Sequence, residues 1–262
     1  MKIIIEKIST TKGLNTNNEW QDEKIPDDYW EHNSQTNFDK YVDNFHRSYS
    51  VINLDHPWLE EAHKIGRITF KFPKSFENEL NALLDEYEGG LLSENYFVRT
   101  NSASLKTGLY GVGPYCHLKQ IIISMVTSSY SHSGMGQKLY LLPWKKLDEN
   151  NEFRVFVYNG RITAISQQHL YDVYENLSHA SNRVLENMVN VLTNWYISYV
   201  KPRVPINSFV MDACFLTDDS IYFIEANPWG MEYGSGSSLF NWKTDYNILY
   251  GHGDPIVLRV RI

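Results

Sequence analysis

The sequence has few cysteines, no long apolar run and no excess of basic residues. Cysteine occurs only at Cys116 and Cys214, so a disulfide framework is not expected and a reducing compartment is favoured. The opening MKIIIEKI contains three consecutive isoleucines, far fewer than the roughly 20 apolar residues of a membrane span. It is also shorter than the apolar core of a signal peptide. These absences predict a cytoplasmic protein with no membrane partner.

The charge balance argues against nucleic acid as a partner. The formal net charge is -7, which does not favour a broad surface for an anionic polymer, although a local basic cleft is compatible with it. The phosphate-binding pattern GxxxxGK[ST] is also absent. Hydrophobic residues make up 42% and charged residues 21%, the composition of an ordinary folded protein.

The order of the predicted elements favours an α+β fold rather than a doubly wound parallel sheet. FRVFVYNGRITAISQ is predicted to be a hairpin, because Asn159-Gly160 suits a type I′ turn. FVMDACFLTDDSIYFIEAN is predicted to be a second hairpin, and residues 180–200 between them a long amphipathic helix. The other predicted elements are strands at MKIIIEKI, GRITFKF (66–72), YFVRT (96–100) and KLYLLPW, helices at 75–90 and within 115–130, and a loop at SHSGMG.

The second hairpin carries a pair of acidic residues. If Asp218 and Asp219 form a two-residue loop, Asp212 lies opposite Glu225, and Asn227 and Phe223 share their face. Facing carboxylates repel, and apolar neighbours raise the cost. Two carboxylates and an amide oxygen suit Mg²⁺, so these residues are the candidate metal ligands.

Two alternatives to a metal site stay open for this acidic pair. The first alternative is that one of the two carboxylates is protonated. The second is that the pair faces solvent at a sheet edge, because carboxylates on strands are usually solvated. A slip of one residue in the register would place the two acids on opposite faces.

Basic residues that suit a metal-bound triphosphate occur upstream of this hairpin. Arg99 ends the strand YFVR, Lys106 lies in the small-residue loop NSASLKTG, and Arg154 lies in NEFRVFV on the face of Glu152. Backbone N–H groups of such a loop are able to approach phosphates. The alternatives are an ordinary ion pair between Glu152 and Arg154, surface charges at the other two positions, and a plain flexible connector for the loop.

The strand KLYLLPW suggests a place for a flat base. Its backbone groups are candidates to contact the base, with Leu141, Leu142 and Trp144 packed around it. The alternative is that these side chains simply belong to the core.

Taken in order, FVRTNSASLKTG, KLYLLPW, NEFRVFVYNGRITAISQ, VMDACF and IYFIEANPWG resemble the ATP-grasp superfamily. The Glu-Phe-Arg strand, "AISQ", the acidic-Asn-Pro motif and GSGSSLFNW are similar to the cell-division-cycle protein 123 (D123) family. The VR…K loop also resembles a phage-type arginine-to-lysine clade of ATP-grasp proteins. The resemblance covers about residues 90–245.

The resemblance implies an ATP-grasp fold, with two α+β subdomains that clasp the nucleotide and a smaller N-terminal region. The implied division is 1–65 for the N-terminal region, 66–145 for the lid subdomain and 146–262 for the core subdomain. The implied cofactors are ATP and Mg²⁺. Asp212, Glu225 and Asn227 would bind the metal, Arg154 and Lys106 would act on the phosphates, and Arg99, Leu141, Leu142 and Trp144 would complete the nucleotide site.

The resemblance implies three candidate functions. The first is an ATP-dependent ligase that activates a carboxylate, on a peptide or protein, as an acylphosphate for attack by an amine. The second is an ATP-binding assembly chaperone, as in the D123 family, whose client is a translation initiation factor. The third is phosphoryl or nucleotidyl transfer in RNA repair, which the acidic net charge disfavours.

For a ligase, GMEYGSGSS (230–238) is the candidate acceptor-binding loop. Its partner arginine would be Arg161 or Arg183. The alternative is a glycine-rich turn without such a role.

Overall fold

The computed structural model describes residues 2–16, 25–130 and 138–262; the predicted loop SHSGMG lies outside these ranges. The strands are β1 (Ile3–Ile8), β2 (Ser50–Asn53), β3 (Leu91–Arg99), β4 (Tyr115–His117), β5 (Lys138–Pro143), β6 (Glu152–Tyr158), β7 (Arg161–Gln167), β8 (Phe209–Phe215), β9 (Ile221–Asn227) and β10 (Ile256–Arg261). The helices are α1 (Tyr29–Ser34), α2 (Val42–Phe45), α3 (Trp58–Thr69), α4 (Glu77–Glu86), α5 (Leu118–Thr127), α6 (Glu175–Ser178), α7 (Asn182–Trp195) and α8 (Tyr246–Leu249).

The chain divides into two compact units. The first combines Met1–Tyr41 with Leu147–Ile262, and the second is Val42–Lys146. The predicted limit at residue 65 falls inside α3, and the three-part division of the chain stays a prediction.

The first unit contains a mixed sheet of six strands in the order β1-β10-β7-β6-β8-β9. β10 pairs in parallel with β1 and β7, whereas the other neighbours are antiparallel. The hairpin β6–β7 turns at Asn159 and Gly160, whose φ angles of 50° and 71° are those of the predicted type I′ turn.

The predicted long helix of the first unit is α7. The Ser181 hydroxyl accepts a hydrogen bond from the N–H of Val184 and begins the helix. Leu185, Val189 and Leu192 recur at helical spacing and are buried. A π-helical turn at Tyr196–Val200 extends the helix toward Pro202.

The second unit contains an antiparallel sheet of four strands in the order β2-β5-β3-β4, packed with helices. α5 is buried along most of its length, as its run of apolar residues requires. α3 packs against α5, and Gly66 allows this close approach, because a Cβ there would lie 2.5 Å from a methyl carbon of Val126.

The predicted strand at GRITFKF is wrong, because α3 continues to Thr69. Leu59, Ala62 and Gly66 are buried on one side of this helix, so the period of 3.6 residues decides the conformation. The apolar residues that alternate after Gly66, such as Ile68, lie on the exposed side of the same helix. Phe70, with a φ of 53°, then ends it in the left-handed region.

Candidate functional site

A row of charged residues crosses three neighbouring strands of the first unit. Arg154 on β6 lies opposite Asp212 on β8, and Asp212 lies opposite Glu225 on β9. The predicted pairing of the two carboxylates is therefore confirmed. Asn227, two residues after Glu225, lies close enough for its Nδ2 to approach both acids, at 3.4 Å from Asp212 Oδ2 and 3.5 Å from Glu225 Oε1.

The turn of this hairpin differs from the predicted one. The N–H of Leu216 donates to the carbonyl oxygen of Ser220 at 2.8 Å, and that of Asp219 donates to Leu216 O at 3.1 Å. The loop therefore has three residues rather than two, and Thr217 does not pair with Ser220. Asp219 adopts a φ of 62°, the left-handed conformation that such loops require.

A β-bulge restores the register at the acidic pair. Near the turn, Ala213 pairs with Phe223, whereas beyond the bulge Asp212 pairs with Glu225, so Ile224 is the extra residue. Because neighbouring residues of β8 point to opposite faces, Phe223 lies on the face away from Asp212. The predicted position of Phe223 beside the acids is therefore wrong.

Arg154 compensates the charge of Asp212. Its Nε donates to Oδ1 at 2.9 Å and its Nη2 to Oδ2 at 2.7 Å, a bidentate pair with only 13% and 4% of the two side chains exposed. Nη1 donates to the carbonyl oxygen of Gly236 at 2.9 Å. Burial alone lowers the pKa of Arg154, but the charge and hydrogen bonds of Asp212 and the charge of Glu225 outweigh it and raise the pKa.

Glu152 does not pair with Arg154, which was the alternative to a phosphate role for that arginine. Glu152 Oε2 lies 3.6 Å from Nε2 of His169, whereas Arg154 is bound to Asp212. The carboxylate of Glu152 raises the pKa of His169 above its ordinary value, against the opposing effect of burial. In place of that alternative ion pair, Arg154 pairs with Asp212 and Glu152 lies beside His169.

Gln168 belongs to the same cluster and was not singled out from the sequence. Its Nε2 approaches Asp212 Oδ2 at 3.3 Å, and its Oε1 is buried without a hydrogen-bond partner. The residue directly follows the AISQ motif, so its position at the end of β7 was the available signal. Rotating the amides of Gln168 and Asn227 by 180° would turn both weak donors into oxygen acceptors.

The oxygen atoms of this cluster fit a hard divalent cation. Asp212 and Glu225 present carboxylates, and Asn227 and Gln168 would add neutral amide oxygens if their amides were rotated, since their nitrogens now face the acids. Within the described ranges no group of three or more His, Cys, Asp or Glu is arranged for a metal. An ion here would therefore depend on two carboxylates together with amide oxygens.

The predicted acceptor loop packs against this cluster. Besides Gly236, it contributes Ser237 and Ser238, which are buried and donate to Phe240 O at 2.7 Å and to the carbonyl oxygen of Gln168 at 2.8 Å. The two candidate arginines have other surroundings. Arg161 donates to the carbonyl oxygens of Gly251 and Gly253, and Arg183 is exposed at the start of α7.

The remaining predicted site residues lie in the second unit. Arg99 is buried at the end of β3, where its Nε donates to Thr100 O at 3.1 Å, and Lys106 is exposed. Leu141 and Leu142 are buried on β5, and Leu141 belongs to the apolar core of the unit. Trp144 is partly exposed, and its backbone N–H donates a hydrogen bond to the carbonyl oxygen of Asn95 at 2.8 Å. The predicted roles of these residues in nucleotide binding stay predictions.

The loop that carries Lys106 is attached to the end of α5 by hydroxyl groups. Thr127 accepts the N–H of Leu109 at 2.9 Å, and Ser124 accepts that of Tyr110 at 3.1 Å. The Thr107 and Ser128 hydroxyls lie 2.6 Å apart. The loop is therefore a packed structure rather than the flexible connector that its composition allowed.

Residues 117–248 match the family model D123. This region is half of the chain and contains Arg154, Asp212, Glu225 and Asn227. The chain belongs to the D123 family.

Relatives and solved structures agree with this assignment. A translation initiation factor eIF2 assembly protein from Lodderomyces elongisporus is 33% identical over 108 residues, which are 40% of this chain and 27% of the relative. C-terminally truncated Cdc123 from Schizosaccharomyces pombe has a TM-score of 0.61 at 15% identity, with 86% of this chain and 95% of that chain covered. The matches span between 27% and 38% of the length of the first curated relatives.

The predicted α+β class is confirmed, and the fold resembles that of Cdc123. D-alanyl-alanine synthetase A from Vibrio cholerae has a TM-score of 0.32 at 14% identity, with 76% of this chain and 55% of that chain covered. The predicted likeness to the phage-type arginine-to-lysine clade has no support from these comparisons. In the part of the chain that the structure describes, no helix is long and apolar enough to cross a membrane.

Proposed function

We propose that this chain is an Mg-ATP-binding assembly protein that promotes the formation of a protein complex of the eIF2 kind. The row of Arg154, Asp212 and Glu225, in which Asp212 is buried and bound by Arg154, lies inside the region matched by D123 and is the observation that carries the proposal. Membership of that family and the assembly function of the Lodderomyces relative favour assembly over ligation. The ligase interpretation has no comparable support.

In the proposed function, Asp212, Glu225 and Asn227 bind Mg²⁺, with Gln168 as a further oxygen donor. Mg²⁺ supplies positive charge that neutralises phosphate oxygens. Arg154 fixes the orientation of Asp212 through two hydrogen bonds and balances its charge when the site is empty of cation. Two N–H groups of its guanidinium remain for phosphate oxygens, since three of the five contact Asp212 and Gly236.

Arg99, Lys106, Leu141, Leu142 and Trp144 are proposed nucleotide contacts in the second unit. The exposed ammonium of Lys106, on a loop attached to α5, is suited to a phosphate. Lys106→Gln tests this proposal through the Kd for ATP, and Lys119→Gln, at an exposed position of the same unit, is its control.

An assembly assay tests the proposed function. Separately prepared eIF2 subunits are mixed with ATP, Mg²⁺ and either the wild-type chain or Asp212→Asn, and the assembled complex is measured by sedimentation. We expect the wild type to increase the yield and the variant to lose this effect. Equal yields with and without the chain would contradict the proposal.

The fate of ATP separates the other two candidates. Release of ADP and phosphate that depends on an added carboxylate and amine would favour a ligase. AMP or an adenylylated product would favour nucleotidyl transfer. Assembly without either product is the expected result.

A further inference from the structure

The bulge in β9 decides which face Glu225 occupies. In the register next to the turn, where Ala213 pairs with Phe223, Glu225 would fall opposite Met211 and point away from Asp212. The extra residue, Ile224, moves Glu225 and everything after it to the other face. The proposed metal ligands meet only because this bulge exists.

Tyr41 contacts β9 on both sides of the bulge. Its hydroxyl oxygen accepts the N–H of Ala226 at 3.1 Å, between Glu225 and Asn227. Its ring packs edge-on against Phe223, with centroids 5.3 Å apart, on the other side of the bulge. Only 2% of Tyr41 is exposed, and Phe38 packs against its ring at 5.5 Å.

The position of β9 explains why such a contact is needed. Among the described residues, β9 is the last strand in the order of its sheet, so the N–H groups on its outer side have no described strand to bind. A buried N–H without an acceptor is unfavourable, and a bulge weakens the ladder on its inner side as well. Tyr41 supplies the missing acceptor at the residue between the two ligands.

We infer that Tyr41 is a positioning residue for the proposed metal site, because it holds the bulge that brings Glu225 and Asn227 to Asp212. This inference rests on the proposed function. Tyr41 lies outside residues 117–248, so the N-terminal segment contributes to the site from beyond the region that the family model covers.

Tyr41→Phe tests this role, because it removes the hydroxyl and keeps the ring on Phe223. Mn²⁺ binding, measured by electron paramagnetic resonance, should weaken about tenfold, which corresponds to about 1.4 kcal/mol. Exchange of the Ala226 amide, measured by NMR, should become faster in the variant. Tyr196→Phe removes another buried hydroxyl of the same unit, beside Phe209, and should change neither measurement.

The outcomes separate this role from the proposed function. Equal Mn²⁺ affinities for wild type and Tyr41→Phe, with no binding by Asp212→Asn, would overturn the role of Tyr41 alone. An absence of Mn²⁺ binding by the wild type would overturn the metal site of the proposed function. If wild type binds no Mn²⁺, the exchange of the Ala226 amide still tests the contact with β9. An exchange rate that is the same in wild type and Tyr41→Phe would then show that Tyr41 does not stabilise the bulge.

Discussion

Asp212 has its charge balanced by a neighbouring side chain within the sheet. Only 3% of the residue is exposed, and Arg154 binds both of its carboxylate oxygens. A buried carboxylate without such a partner is strongly unfavourable. The spacing of the sequence indicated that Asp212 and Glu225 need compensation, and a metal was the expected source. The structure shows that Arg154 supplies part of it.

Arg154→Met should destabilise the first unit, because it leaves Asp212 buried without its bidentate partner. The expected loss in the free energy of unfolding is about 3 kcal/mol. Urea unfolding measures it, with Arg183→Met as the control at an exposed position. Equal losses for the two variants would contradict the structural role of this pair.

The lowered pKa of His46 predicts how the free energy of unfolding changes as the pH falls. Burial and the charge of Arg99 lower its pKa to about 4, from 6.5. Its stabilising effect is therefore complete above about pH 6.5 and is lost as the pH falls toward about 4, because only the unfolded chain takes up the proton. The full loss is about 3 kcal/mol. Urea unfolding at pH 7.5 and 4.5 should show a smaller difference for His46→Gln than for wild type. The exposed His252→Gln should behave as wild type, and an unchanged difference in His46→Gln would contradict the account.

At the scale of elements, features that are set by nearby residues were predicted correctly from the sequence. Features that depend on contacts between distant segments were not. The turn at Asn159-Gly160 and the helix α7 follow from nearby residues. The pairing of Asp212 with Glu225 was predicted correctly from a two-residue loop, but the structure reaches it through a three-residue loop and the bulge at Ile224. The strand predicted at GRITFKF was wrong, because burial of α3 against α5 is a contact between distant segments. The bulge at Ile224 has no sequence signature that the pattern of apolar residues could reveal.

Gly108 lets the loop of Lys106 pack closely against α5. Its φ angle is one that other residues also adopt, so glycine is required there by lack of space and not by backbone conformation. A Cβ there would lie 2.2 Å from the carbonyl oxygen of Ser124, which is backbone and unable to move away freely. Gly108→Ala should lower the free energy of unfolding by about 2–3 kcal/mol. In Gly253→Ala the new Cβ would lie 3.4 Å from its nearest neighbour, so the loss of stability should be much smaller. Thermal unfolding of both variants measures the two losses. Similar costs for both would show that the loop is not packed as described.

At the scale of the whole molecule, the two ends of the chain meet in one sheet. Ile3 pairs with Ile256, and Arg259 binds Glu6 at 2.7 Å and Asp245 at 2.6 Å. No local pattern predicts this parallel pairing, because the partners are separated by almost the full length of the sequence. β1, which lies outside the part of the sequence that carries the family resemblance, thus belongs to the unit that contains the acidic row.

The most direct test of the account is calorimetric titration of ATP into the protein, with Mg²⁺ and with EDTA. Wild type should bind only with Mg²⁺. Glu225→Gln should bind about 100-fold more weakly, because loss of a metal ligand costs at least as much as loss of a residue that orients one. Glu186→Gln makes the same chemical change at an exposed position of α7 and should bind as wild type does. Unchanged affinity in Glu225→Gln, or no binding by wild type, would contradict the central claim.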